Sequence, residues 1–441
     1  MYSADSHMSQ YSFSNPIPTF LTLLIALSAC GDDAPPAPTF DGGPRVDAGQ
    51  PEEDAGDGDS GIDTDAGEND AGADAGPQEV PCEAQVFELI TDPMARNRPV
   101  SVASTGRGFV FAWGDTVDVR EQARTAEVAD GATMPIVRSL TSDDSSARAV
   151  SISQGYAIWL DDGGNGENTI VRGVDTEASE APLRTFSAPT GQHSSPRLFK
   201  NGDGWVATWV REVGEGEWQI ASRTFDGDSE SDIVTYSWTL PTPEVAVDFA
   251  DERFYFAWSS EGDVRLAVVG AEGAVLSDAS VVNSQGNASE EVSVAFGGDF
   301  GVVAFGVLIE DVRQEIRVRL MDSFGEAVRP EQIVSRAPLR GRNPMATSYA
   351  GGYALAYRAS NPAREDHLRV AFIHGSDGVV VAEYDLGVAD FEGGLSGIAV
   401  DDEGGLGIGW ANVEGEGSPS TVVRGARLSC GAAWLRCGVM P

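Results

Sequence analysis

The sequence predicts an all-β molecule whose main body is a seven-bladed β-propeller, preceded by a signal peptide and a disordered acidic linker. Three observations predict it. A short aromatic-rich phrase returns seven times at an even period, each period holds enough apolar runs for four strands, and no stretch is both long and amphipathic enough for a helix.

The phrase reads GFVFAW at 108–113, GYAIW at 155–159, GWVATW at 204–209 and RFYFAW at 253–258, then FGVVAF at 300–305, GYALAY at 352–357 and GLGIGW at 405–410. Its closing aromatics are Trp113, Trp159, Trp209, Trp258, Phe305, Tyr357 and Trp410, separated by 46 to 53 residues. Before each copy stands a run of small and β-branched residues, often introduced by proline, such as Pro99-Val100-Ser101-Val102-Ala103 and Pro243-Glu244-Val245-Ala246-Val247. Small side chains suit an innermost strand where blades converge. A third strand follows the aromatic, as in Ile170-Val171-Arg172 and Ile316-Arg317-Val318-Arg319, and a turn with an outer strand completes the unit, as in Asp377-Gly378 before 379–384. Seven such units account for 82–441, and a pair of β-sandwiches would not explain seven equal periods.

Closure explains an oddity at each end. The last unit has no room for a fourth strand after Leu428, whereas an orphan strand, Gln85-Val86-Phe87-Glu88-Leu89-Ile90, precedes the first unit. The N-terminal strand is therefore expected to serve as the outer strand of blade seven. That places Cys82 beside the segment carrying Cys430 and Cys437, so a disulfide from Cys82 to one of them would staple the latch in an oxidising compartment; a local Cys430–Cys437 bridge is the competitor.

Upstream of the repeats the chain changes character. Ile17 to Ala29 reads IPTFLTLLIALSA, too short to span a bilayer and of the length of a signal-peptide core. No Lys or Arg lies between Met1 and Pro16, a departure from the usual positive start. Residues 31–81 then hold fifteen Asp/Glu against Arg45 alone, with Asp-Ala-Gly repeated from Asp47, Asp54, Asp65, Asp70 and Asp74, a composition that cannot offset its chain entropy by burial. Asp57-Gly58-Asp59-Ser60-Gly61 lacks the third ligand and the closing Glu of an EF-hand and reads as solvated linker.

Leu27-Ser28-Ala29-Cys30 resembles the lipobox of bacterial lipoproteins, and the Asp-Ala-Gly run is similar to the linkers of lipoproteins from myxobacteria and related deltaproteobacteria. The resemblance covers 17–81 and implies three parts: a signal peptide at 1–29, a tether at 30–81 lipidated on Cys30, and the repeat domain at 82–441. It also implies an outer-membrane address, on the periplasmic side or at the cell surface, with Gly31-Asp32 after the anchor consistent with it.

Composition narrows the partners. With 29 Lys+Arg against 69 Asp+Glu the net charge is −40, and Lys200 is the only lysine. Nucleic acid and polybasic attachment to anionic lipid are excluded as expectations, and a monomeric propeller with an unidentified protein or carbohydrate ligand is expected. No HExxH, P-loop or Cys/His zinc pattern occurs. His367 and His374 are seven apart, on opposite faces of any strand holding both, and His193-Ser194-Ser195 has no third partner in sight.

The loops after the aromatic strands carry sixteen acids, among them Asp115, Glu212, Glu315 and Asp366, and should form an acidic rim on one face able to attract cations or a basic partner. Asp161-Asp162-Gly163-Gly164-Asn165-Gly166-Glu167 is the best calcium-loop candidate, with Asp161, Asp162, Asn165 and Glu167 as oxygen donors and calcium as the one cofactor in view. The plainer alternative is that exposed loops of so acidic a chain are acidic everywhere. The functional expectation is a noncatalytic binding or scaffolding module with its ligand at the channel mouth or on the rim; an exported carbohydrate hydrolase with channel carboxylates is the rival.

Overall fold

A computed structural model of the chain describes residues 78–79 and 82–430, apart from 93–98, 107, 118–119, 133, 142–145, 163–167, 179–181, 227–228, 285–286, 310–312, 336–337, 364, 389–394 and 415–419. The described residues form seven sheets, one per repeat and each built on four antiparallel strands, in a closed seven-bladed β-propeller.

The innermost strands are Ser101–Ser104, Ala147–Ser153, His193–Asn201, Ala246–Ala250, Ala288–Gly297, Arg340–Tyr349 and Leu395–Val400. The repeated phrase is the second strand of every blade: Gly108–Val117, Tyr156–Asp161, Gly204–Gly214, Arg253–Ser260, Phe300–Ile309, Gly352–Ser360 and Gly405–Glu414. Alternation places one face of this strand against each neighbouring blade, which is why the phrase is almost wholly apolar. All seven closing aromatics are buried. The apolar core is accordingly divided among the blade seams: Tyr156, Ile158 and Phe186 of blade two meet Leu198, Trp209 and Phe225 of blade three, and Phe372 of blade six lies in one cluster with Leu406, Ile408 and Trp410 of blade seven.

The ring closes through the expected latch. Cys82–Asp92 pairs antiparallel with Ser420–Cys430 as the outer strand of blade seven, and Cys82 lies directly opposite Cys430, to which it is disulfide-bonded. Gln78–Glu79, just upstream, pairs in parallel with Ala382 and Glu383 on the outer strand of blade six. The last seam is tight: a Cβ on Gly397 of blade seven would stand 2.6 Å from the Val100 carbonyl oxygen of blade one.

Candidate functional site

The seven inner strands surround a central cavity of about 680 Å³, within the size range of small-molecule sites. Antiparallel pairing puts the starts of the inner strands and the loops between second and third strands at the same end, as the pairs Ala147 with Asp161 and His193 with Arg211 show. This end is called the upper mouth.

Register makes seven positions equivalent, each opposite the residue before the closing aromatic: Ser101, Ser151, Arg197, Ala246, Ser293, Met345 and Gly397. Serine here has a structural task. Ser101 Oγ accepts the Ile152 N–H of the next blade at 3.2 Å, Ser151 Oγ accepts that of Leu198 at 3.1 Å, and Ser293 Oγ accepts that of Ala346 at 2.9 Å. Inner-strand edges have no further strand to pair with, so a short hydroxyl from the neighbouring blade satisfies them.

Above this layer five inner strands shift register, and in three of them the backbone turns to positive φ. Register shifts at 148–151, 194–197 and 342–345 coincide with positive φ at Ala149, Ser195 and Asn343, and such bulges re-aim side chains at the rim of a closed sheet. Ser195 Oγ then donates to the Pro243 carbonyl oxygen at 2.8 Å, and Asn343 N–H donates to Glu291 at 2.8 Å.

Four charged groups line the cavity from three adjacent blades: Arg197 from blade three, Glu244 and Asp248 from blade four, and Glu291 from blade five. Burial lowers the pKa of Arg197, with Glu244 opposing the shift. Asp248 accepts the Phe296 N–H of blade five at 2.6 Å, and burial in the wall raises its pKa from 3.8 to about 6 despite backbone hydrogen bonds from Phe296 and Phe249. Burial also raises Glu291, opposed by its bond from Asn343, by nearby Arg342 and by Gln314, whose amide donates at 2.8 Å. One guanidinium among three carboxylates in a partly dehydrated cavity can fix a ligand's charged groups or hold a carboxylic acid ready to give up a proton.

None of these four was singled out from sequence. The signal was present: a charged residue in strands otherwise built from small and β-branched residues, plainest in Pro243-Glu244-Val245-Ala246-Val247.

Among the described acids of these loops Glu215, Glu217, Glu261 and Glu365 are exposed, as a rim requires, but four others are turned inward. Asp115 and Asp161 are each 2% exposed, and Asp162 and Glu315 are 4% exposed. Asp115 pairs with Arg124, Asp161 with Arg172 and Asp162 with Arg148, each at 2.7 Å, and Glu315 pairs with Arg317 at 3.4 Å. The reason lies in register. In six blades the residue opposite the closing aromatic on the third strand is an arginine (Arg124, Arg172, Arg265, Arg317, Arg369, Arg424), and in blades one and two it reaches the acid two residues beyond that aromatic. Asn165 and Glu167 of the calcium-loop candidate lie outside the described residues. Among the described residues no group of three or more His, Cys, Asp or Glu is arranged to hold a metal ion.

The remaining candidates are scattered. Cys30 and Cys437 lie outside the described residues. His193 is buried in blade three, its Nδ1 at 2.5 Å from the Thr169 carbonyl oxygen, and burial lowers its pKa. His367 pairs with Asp385 at 3.1 Å and His374 with Asp377 at 3.0 Å, without converging on each other. No described helix is long and apolar enough to cross a membrane.

No protein-family model matches the chain, and no curated protein matches it in sequence. Solved structures do resemble it. A Dyadobacter fermentans protein of unknown function is similar at 11% identity over 79% of this chain and 99% of its own, with a TM-score of 0.46. The N10 neuraminidase-like protein of a little yellow-shouldered bat influenza A virus is similar at 7% identity over 65% and 98%, TM-score 0.42, and the WD40 domain of SCAP from fission yeast at 9% over 75% and 82%, TM-score 0.42. At these identities and TM-scores none of them carries an argument about activity.

Proposed function

We propose that this chain is an exported lipoprotein, anchored through Cys30 at the outer membrane, whose propeller binds a small polar ligand in its central channel without transforming it. The observation that carries the binding reading is the set of Arg197, Glu244, Asp248 and Glu291 around one cavity of about 680 Å³. Charged side chains facing a partly dehydrated wall cost stability unless something answers them, so their convergence supports a site rather than a filled core. The anchor and the tether rest on the lipobox-like Leu27-Ser28-Ala29-Cys30 and on the acidic run at 31–81.

The binding reading is tested by thermal unfolding against panels of sugars, peptides and amino acids, and a true ligand should raise Tm progressively with concentration. The shift should disappear in the Glu244→Gln, Glu291→Gln double variant; a shift that survives it would move the site elsewhere. Calcium belongs in the same panel against ionic-strength-matched NaCl, and a calcium-specific rise would assign a site to the loop beginning at Asp161. Metabolic labelling with a radioactive fatty acid, lost in Cys30→Ser, tests the anchor.

A second reading, glycoside hydrolysis, is favoured by one observation. Asp248 has its pKa raised to about 6, the property of a general acid, and Glu244 and Glu291 stand on the same channel wall. Turnover of chromogenic glycosides that is abolished in Asp248→Asn would replace noncatalytic binding by catalysis.

A further inference from the structure

Many arginines of this propeller are answered by carboxylates. Arg124, Arg148, Arg172, Arg223, Arg317, Arg358, Arg369 and Arg427 each form an ion pair within the ring. Arg211, Arg253 and Arg319 are not, their hydrogen bonds running to Gln219 and to carbonyl oxygens, and neither is Arg197, the one of these that lines the channel. The one hydrogen bond of Arg197 runs from Nη1 to the carbonyl oxygen of its own neighbour Pro196, at 3.1 Å, and it has no ion pair among the described residues. It occupies the ring position held in the other blades by Ser101, Ser151, Ala246, Ser293, Met345 and Gly397, so it is the one charged residue of that layer. A guanidinium has five donors in a fork that matches a carboxylate, and Arg197 stands in the channel lining with Glu244 supporting its charge.

The neighbouring charge decides what can reach it. Glu244, Asp248 and Glu291 against Arg197 leave the lining at −3 + 1 = −2 when all four are ionised. A simple anion entering for Arg197 meets repulsion from three carboxylates. A simple cation satisfies the carboxylates but competes with the guanidinium for Glu244. A ligand bearing both signs satisfies both sides, and charge complementarity of this kind selects among ligands of similar size.

Resting on the reading that the channel is the binding site, we propose that it takes a small zwitterion with one carboxylate and more than one cationic group, the chemistry of a basic amino acid. Arg197 receives the carboxylate, and Glu244 and Glu291, from blades four and five, receive the ammonium groups. The same chemistry occurs in the free amino acid and in the C-terminal residue of a peptide ending in Lys or Arg.

Isothermal titration of the full chain with L-lysine, cadaverine, sodium acetate, a Gly-Gly-Lys peptide and a neutral disaccharide tests this. L-Lysine is expected to bind at least about tenfold more tightly than cadaverine, which lacks the carboxylate, or acetate, which lacks the ammonium groups. Arg197→Met should lose that preference for lysine over cadaverine, while Arg197→Lys, which keeps the charge without the fork, should retain part of it. Equal affinity for lysine in Arg197→Met and in the unaltered chain would overturn the proposal, as would cadaverine or acetate matching lysine. The peptide distinguishes the two sources: it binds as well as lysine if the mouth admits a chain end and is excluded if the site takes the free amino acid. Binding of the disaccharide alone, lost in the Glu244→Gln, Glu291→Gln double variant, would overturn the zwitterion and leave the channel reading standing; no binding by any of the five would overturn the zwitterion, and the broader panel would then decide the channel reading. Each variant is checked by circular dichroism, and if Arg197→Met fails to fold, the cadaverine and acetate arms on the unaltered chain still decide.

Discussion

Asp248 shows how much a single side chain in the channel wall can reveal. Its folded pKa, about 6, lies above the value of 3.8 in an unfolded chain, so the native state holds a proton that the unfolded state releases first. Its contribution to stability is therefore fully present below about pH 4 and is lost as pH rises through about 6, where the ionised carboxylate sits in a wall that solvates it poorly. Asp248→Asn keeps an oxygen to accept the Phe296 N–H and removes the titration. Thermal unfolding between pH 4 and 7.5 should show a decline in the unaltered chain that is absent in the variant, with about 3 kcal/mol gained by the variant at pH 7. A parallel pH profile for both would show that Asp248 is better solvated than its surroundings indicate. At this scale the sequence was only partly legible. Arg172 and Arg317 were visible on predicted third strands, but their pairing with Asp161 and Glu315 depends on register and bulges that no local pattern records.

Each inner strand depends on its neighbour. Ser151 is 3% exposed, and its hydroxyl accepts the Leu198 N–H at the channel edge of blade three. Ser151→Ala leaves that buried N–H without its partner, a loss of about 1 to 3 kcal/mol. Chemical denaturation should show a lower midpoint with an unchanged slope, because the surface exposed on unfolding stays the same. An unchanged midpoint would mean that water reaches the Leu198 amide. The small residues of the inner strands were legible as a sign of crowding, and the hydroxyl's task of capping the next blade was not, because it links positions 47 residues apart.

Closure of the whole ring concentrates in blade seven, which joins the two ends of the described chain. The Cys82–Cys430 disulfide spans 348 residues of sequence, so it constrains the unfolded chain strongly, and removing it should cost about 2 to 5 kcal/mol. Reduction, or Cys82→Ser, is expected to lower Tm measurably while leaving circular dichroism at low temperature unchanged, since the latch strand also pairs along its length with Ser420–Cys430. Loss of β signal at low temperature on reduction would show instead that the disulfide holds the ring together.

Periodicity, alternation and turn chemistry are properties of short windows, and each repeat carries its own copy. They were enough for seven blades, four strands apiece, a latch from the N-terminal side and a bridge from Cys82. What converges at the centre is set by the rotation from one blade to the next and by bulges that re-aim individual side chains. Only the tertiary structure therefore selected Cys430 over Cys437, turned four acidic loop residues inward onto arginines, and brought Arg197, Glu244, Asp248 and Glu291 from three repeats to one cavity.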